Sequence, residues 1–323
     1  MTQVKNAGVR GVGTATIPTD DRLKVDLCGI ELDNPIIPAS GTFGFGHDFA
    51  QLYDLNMLGT FSFKGTTQEA RLGNPTPRIA ECETGMINAV GLQNPGVEWV
   101  KKEELPRLRE YFAKPVMANV SGFSLNEYCY VVSALNEEPN IGWFEVNISC
   151  PNVHADGMNF GSVPQAAAEV THAVREVTCK PVIVKLSPNV TDVVEIARAC
   201  VDAGADGLSV INTLVGMRID MKTRKPVIAN HIGGYSGPGI FAIALRMVYQ
   251  ITKEIDVPVI GIGGIHTVDQ VLEMMMAGAT AVQVGTANLI DPFVCPRLIA
   301  DLPKAMDRYG IRRLSELKQR TDR

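Results

Sequence analysis

Short apolar, β-branched runs recur along the chain and alternate with stretches whose apolar residues fall at helical spacing. After a hairpin over residues 23–33, turning at Cys28-Gly29, eight runs read as strands: 36–39, 59–63, 116–120, 144–148, 182–186, 207–211, 257–262 and 281–284. Between most of them the pattern is helical. Val193-Val194, Ile196-Ala197 and Ala199-Cys200-Val201 make one apolar stripe, and Val268, Val271-Leu272 and Met275-Met276 make another. Gly204 and Gly278, each between two alanines, supply the stops. Strands that are apolar throughout, each followed by a helix, predict a parallel sheet buried on both faces. Eight such units predict an α/β fold of the closed (β/α)8 TIM-barrel type, with a doubly wound open sheet as the alternative.

Two connections are too long for plain βα loops, 66–97 and 213–236. Both follow strand ends, where long loops cover or build active sites. The organisation expected is a loose arm over 1–22, a barrel over 23–310 with long strand-end insertions, and a charged tail over 311–323.

Composition narrows the classes. The 323 residues carry 30 Lys+Arg and 35 Asp+Glu, a net charge of −5, with no basic run to suggest nucleic acid. Seven cysteines at irregular spacing, with no CxxC pair, fit neither a disulfide framework nor a zinc or iron–sulfur site. The expectation is a protein of the reducing cytoplasm, without signal peptide, membrane span or bound metal.

The candidate chemistry lies at strand ends. Asn147-Ile148-Ser149-Cys150-Pro151-Asn152 follows the fourth strand, which puts Cys150 where barrels do chemistry. A thiol there can act as base or nucleophile; the bland alternative is a buried structural cysteine. Gly263-Gly264 follows the seventh strand and Gly285-Thr286 the eighth, the usual place of a phosphate site in barrels. Gly237-Pro238-Gly239 offers further N–H groups at the start of the next helix. Lys64 ends the second strand and Lys185 lies within the fifth. A charge there is costly unless an anion or an electron-rich ring faces it; snorkelling to the barrel end is the alternative. Asn88, Asn119, Asn147 and Asn212 end strands or lie in covering loops, and together suit a planar, amide-rich ligand. The five histidines lack metal-ligand spacing.

These residues resemble a known family. Asn147 to Asn152, Asn88-Ala89-Val90-Gly91-Leu92, Pro38 to Gly44 and Phe63-Lys64-Gly65 are similar to motifs of the dihydroorotate dehydrogenases, FMN-dependent barrel enzymes of pyrimidine biosynthesis. The resemblance spans about residues 23–308 and is strongest to the class 1B catalytic subunit. One departure is His154-Ala155-Asp156-Gly157, where a Gly-Gly pair is common.

The resemblance implies oxidation of (S)-dihydroorotate to orotate, with Cys150 as base at C5 and hydride transfer from C6 to FMN. It implies that Lys64, Asn88, Asn147, Asn212 and Thr213, with backbone groups of Ala89, Val90, Gly91 and Leu92, hold the substrate. Ser40, Lys64, Gly65, Asn119, Asn147, Lys185 and Ile211 would contact FMN, with Gly237, Gly263, Gly264, Gly285 and Thr286 at its phosphate end. It further implies a homodimer within a heterotetramer, whose partner subunit carries FAD and a 2Fe–2S cluster and passes electrons to NAD+. The alternatives are a dihydropyrimidine dehydrogenase-like enzyme, a fumarate-using class 1A enzyme, and a flavin-free phosphate-binding isomerase.

Overall fold

A computed structural model describes residues 20–149 and 160–319. The hairpin pairs Val25–Leu27 with Ile30–Leu32. Cys28 and Gly29 turn it with positive φ of 53° and 83°, the two-residue geometry whose twist matches a hairpin. It plugs the amino-terminal end of the barrel: the Trp143 indole donates to the Leu27 carbonyl at 2.9 Å.

Seven parallel strands form the main sheet. In chain order they occupy barrel positions one and three to eight: Ile36–Pro38, Val116–Val120, Ile141–Asn147, Val182–Leu186, Gly207–Val210, Val259–Ile262 and Ala281–Val284. Sheet order runs first, eighth, seventh, sixth, fifth, fourth, third. The expected second strand is not a ladder strand but joins through isolated bridges. It still spans the gap. Gly59 and Ser62 donate to the carbonyls of Ile36 and Pro38 on one side, and Phe63 and Thr66 to those of Met117 and Asn119 on the other. On the first strand's side two bonds are three residues apart on one chain and two on the other, a bulge-like mismatch that interrupts pairing.

Helices pack outside this ring, among them Val193–Asp202 and Val268–Met276 as the pattern predicts. Asp192 caps the first of these and a Thr267/Gln270 capping box starts the second. After the last helix, Val294–Tyr309, the chain turns at Gly310 and buries Ile311, Leu314 and Leu317 in the main core.

The two long connections are more ordered than loops. Ile79–Cys82 and Gly85–Asn88 from the first, with Leu214–Met217 and Ile232–Ser236 from the second, build a four-stranded antiparallel sheet. Their glycines and polar residues read as loop composition. Pairing between segments about 150 residues apart supplies what local pattern could not. The sheet lies over the carboxyl ends of the barrel strands. Among the described residues, no helix is long and apolar enough to cross a membrane.

Candidate active site

The barrel strand ends and the antiparallel cover enclose a cavity of about 410 Å³, a size that suits a cofactor or small molecule. Of the residues expected there, Ser40, Lys64, Gly65, Asn88, Val90, Gly91, Leu92, Asn119, Asn147, Lys185, Ile211, Asn212, Thr213, Gly237, Gly263, Gly264, Gly285 and Thr286 all line it. Ala89 is not on the wall. It is buried beside Ile87 and Ile228; its N–H donates to the Arg78 carbonyl and its carbonyl accepts from the Asn74 amide. Cys150 and His154 to Gly157 lie outside the described residues.

The amides are locked to one another. Asn147 Oδ1 accepts from Asn212 Nδ2 at 3.1 Å and from the Ser149 N–H at 3.2 Å. Asn212 Nδ2 also reaches Ser149 Oγ at 3.2 Å, and Ser149 Oγ donates to the Lys185 carbonyl at 3.0 Å. Asn88 Nδ2 donates to the Gly234 carbonyl at 3.3 Å, within the cover sheet. Gly234 has to be glycine here, since a Cβ would lie 2.1 Å from Thr213 Oγ1.

The two lysines sit in opposite electrostatic settings. Lys185 is almost wholly buried, and its Nζ lies 3.9 Å from a carboxylate oxygen of Glu145. Glu145 is fully buried within the barrel. Its Oε2 accepts from Ser62 Oγ at 2.8 Å and Asn119 Nδ2 at 2.6 Å; its Oε1 accepts from Ser209 Oγ at 2.8 Å and Gln283 Nε2 at 2.7 Å. Burial pushes this carboxyl up, but the Lys185 charge and the hydrogen bonds from Ser62, Asn119 and Ser209 outweigh it and hold the group below its ordinary value. The anion beside Lys185 is therefore a side chain of the protein, not only a ligand as the sequence suggested. Sequence reasoning passed over Glu145 as the interior of an apolar strand. The available signal was a polar residue set inside each of several apolar runs: Ser62, Asn119, Glu145, Lys185, Ser209 and Gln283.

Lys64 is mostly buried, and no described carboxylate pairs with it. Burial lowers its pKa, and the nearby Arg78 cation lowers it further. This is not the environment of a snorkelling lysine.

The glycine sites gather at another part of the cavity. Gly263 and Gly264 have φ of 137° and 72°, and a Cβ on Gly264 would lie 2.8 Å from the Gly237 carbonyl. Thr286 Oγ1 donates to Ser236 Oγ at 2.8 Å beside them. One expected donor is taken: the Gly239 N–H bonds the Thr84 carbonyl at 3.1 Å. The wall continues past Leu289 and Ile290, which are 53% and 73% exposed and mark where the cavity meets the surface. No described His/Cys/Asp/Glu group could hold a metal. Burial pushes the Cys28 and Cys200 thiols up to about 12, so neither is suited to act as a base.

A sequence model described as dihydroorotate dehydrogenase matches residues 22–306. A protein of Geobacillus kaustophilus (strain HTA426) named "Dihydroorotate dehydrogenase B (NAD(+)), catalytic subunit" is 55% identical over 296 residues, 92% of this chain and 94% of its own. Proteins with the same name from Anoxybacillus flavithermus (strain DSM 21510 / WK1) and Bacillus caldolyticus are 54% and 55% identical, covering 93% and 92% of this chain and 96% and 94% of their own. A match across the whole barrel, with more than half of the aligned residues identical, makes this chain a member of the dihydroorotate dehydrogenase family.

Proposed function

We propose that this chain oxidises (S)-dihydroorotate to orotate in de novo pyrimidine biosynthesis, with FMN in the cavity and NAD+ as final acceptor through a partner subunit. The observation that carries the substrate reading is Lys64, a mostly buried cation on the cavity wall with no described carboxylate beside it. A ligand carboxylate would supply the missing charge. The residues also fit a flavin mononucleotide. The cavity is large enough, glycines leave room for a phosphate against backbone, and Lys185 and Asn119 put a cation and an amide on one wall.

When bound, FMN supplies the two-electron acceptor for the hydride that leaves C6. The protein's own part is to bind, orient and deprotonate. Lys64 Nζ holds the substrate carboxylate. The linked amides of Asn147 and Asn212, with Asn88 and Thr213, fix the ring by paired donors and acceptors. Backbone groups of Val90 to Leu92 assist; those of Ala89 are already engaged. Cys150, next in sequence to Ser149, takes the proton from C5. Ser40, Gly65, Asn119, Lys185 and Ile211 hold the flavin ring, and Gly237, Gly263, Gly264, Gly285 and Thr286 hold its phosphate end.

Onward transfer needs a second protein. The sequence has no CxxC pair for a cluster and no Gly-x-Gly-x-x-Gly fingerprint for a dinucleotide. The relatives' shared name, "catalytic subunit", accords with a partner, here one bearing FAD and a 2Fe–2S cluster. Its docking surface would include Leu289 and Ile290, exposed apolar residues at the cavity mouth, with the exposed Phe293 three residues on. The test mixes purified chain, dihydroorotate and NAD+, with and without the candidate partner. NADH formation that needs the partner supports the reading. Equal NADH formation by the chain alone, or efficient turnover with fumarate in place of NAD+, overturns the two-subunit part.

A further inference from the structure

We propose that Glu145 is a positioning residue: it supplies the counter-charge of Lys185 and turns the amide oxygen of Asn119 toward the cavity. The inner wall then presents one cation and one acceptor regardless of the flavin's redox state. The proposal rests on the flavin reading above.

The hydrogen-bond inventory comes first. A carboxylate has about four acceptor positions. Here Ser62, Asn119, Ser209 and Gln283 each donate to Glu145, two to either oxygen. Against the burial that opposes charge, the Lys185 cation and the hydrogen bonds from Ser62, Asn119 and Ser209 favour the anion and hold the carboxyl below its ordinary value. An anion in a dry barrel interior is tolerated only with a counter-charge. Five strand positions send side chains to Glu145, namely Ser62, Asn119, Lys185, Ser209 and Gln283, and of these Lys185 is the one ionisable residue. Lys64 is the other lysine on the cavity wall, and it forms no ion pair with Glu145.

The same carboxylate sets Asn119. Its Nδ2 is held by Glu145, so its Oδ1 is the end left to the wall, 2.8 Å from where a Cβ on Gly65 would sit. Gly65 leaves that oxygen uncovered. A neutral glutamine at 145 would remove the counter-charge and leave one acceptor oxygen in place of two for the four donors.

The consequence is a countable proton. With Glu145 ionised, Lys185 has its counter-charge beside it whatever the redox state of the flavin. In Glu145→Gln, Lys185 is a buried cation without its partner and loses the proton while the flavin is oxidised. Negative charge on the reduced flavin then draws the proton back. Flavin reduction in Glu145→Gln should take up one proton more than in wild type.

The experiment measures the midpoint potential of bound FMN against pH, from about 6 to 9 where an unpaired buried lysine titrates, in wild type, Glu145→Gln, Lys185→Met and the double variant. The expected result is a steeper pH dependence in Glu145→Gln, worth one extra proton per flavin, with the wild-type slope regained in the double variant. Parallel curves for wild type and Glu145→Gln would overturn the proposal, as would an extra proton that persists without Lys185. Thermal melting of the flavin-free chains gives a second readout. Glu145→Gln should melt below wild type, and adding Lys185→Met should recover part of the loss. If Glu145→Gln does not fold, recovery of a cooperative melt in the double variant still supports the pairing, and failure of both overturns it. Wild-type protein that binds no FMN would refute the flavin reading, while the melting arm would still decide the Glu145–Lys185 coupling.

Discussion

Lys185 and Lys64 line one cavity and are both largely withdrawn from water, yet the protein treats them differently. Lys185 has its counter-ion inside the barrel, set among four neutral donors. Lys64 has no described carboxylate partner and a second cation nearby. A neutralised inner wall suits a group that resides there through turnover. An uncompensated outer cation suits a ligand that arrives with its own negative charge and leaves again. The same cavity carries the amide pair of Asn147 and Asn212, which gives direction without charge.

The strongest way to break this comparison is to remove a group that belongs to neither lysine. Cys150→Ala should slow flavin reduction by dihydroorotate about 10²–10⁴-fold, the usual cost of losing an acid–base group. Orotate should still bind, because the grip is untouched. Stopped-flow reduction and an orotate titration check both; a wild-type rate would make Cys150 structural.

Lys185→Met strands the buried Glu145 carboxylate and should cost about 3–5 kcal/mol of stability. Lys64→Met removes an unpaired buried cation and should leave the unliganded chain as stable as wild type or more so. Denaturant titrations of both variants sharpen the contrast, and equal losses would erase it.

Lys64→Ala should weaken orotate binding by about 2–5 kcal/mol, as expected for truncating one side of a buried charge pair. A titration of orotate into the flavoprotein gives the number, and wild-type affinity would place the carboxylate elsewhere.

The lowered pKa of Lys64 gives a pH signature. Between that value and the ordinary 10.5, the unfolded chain binds a proton that the folded chain does not. Lys64 therefore makes the unliganded fold more stable as pH rises through this window. Orotate needs the protonated lysine, so its affinity should fall over the same rise. Lys64→Arg should flatten that fall, since guanidinium stays charged.

The smallest effect on stability belongs to Gly285→Ala. Its Cβ would meet only Ala39, at 3.9 Å, so stability should move by less than about 0.5 kcal/mol. FMN affinity should drop if the phosphate lies against this backbone. Gly264→Ala should instead destabilise the fold, because φ of 72° disfavours a side chain and the Gly237 carbonyl is close. Melting curves and flavin content separate the two.

Sequence periodicity reads the barrel well because each strand and helix carries its burial pattern locally. Val182–Leu186 and Val268–Met276 need no distant partner to be recognised. Gly85–Asn88 is harder to recognise: it is one arm of a short hairpin with Ile79–Cys82, and its other edge is filled only by the distant Ile232–Ser236. The second barrel position is blurred for a related reason, since its bonds to Ile36 and Pro38 are out of step. In the site, strand-end asparagines and glycines were visible because loop starts are read from residue type. Glu145 was not, because its meaning lies in side chains from other strands that converge on it.

The most direct measurement is an anaerobic spectrum of the purified chain mixed first with dihydroorotate and then, in a separate cuvette, with dihydrouracil. The two compounds share the ring and differ by the carboxylate that Lys64 is held to meet. The account predicts a flavin spectrum that dihydroorotate bleaches rapidly and dihydrouracil leaves nearly unchanged. No flavin spectrum, or bleaching by both compounds at similar rates, would contradict it.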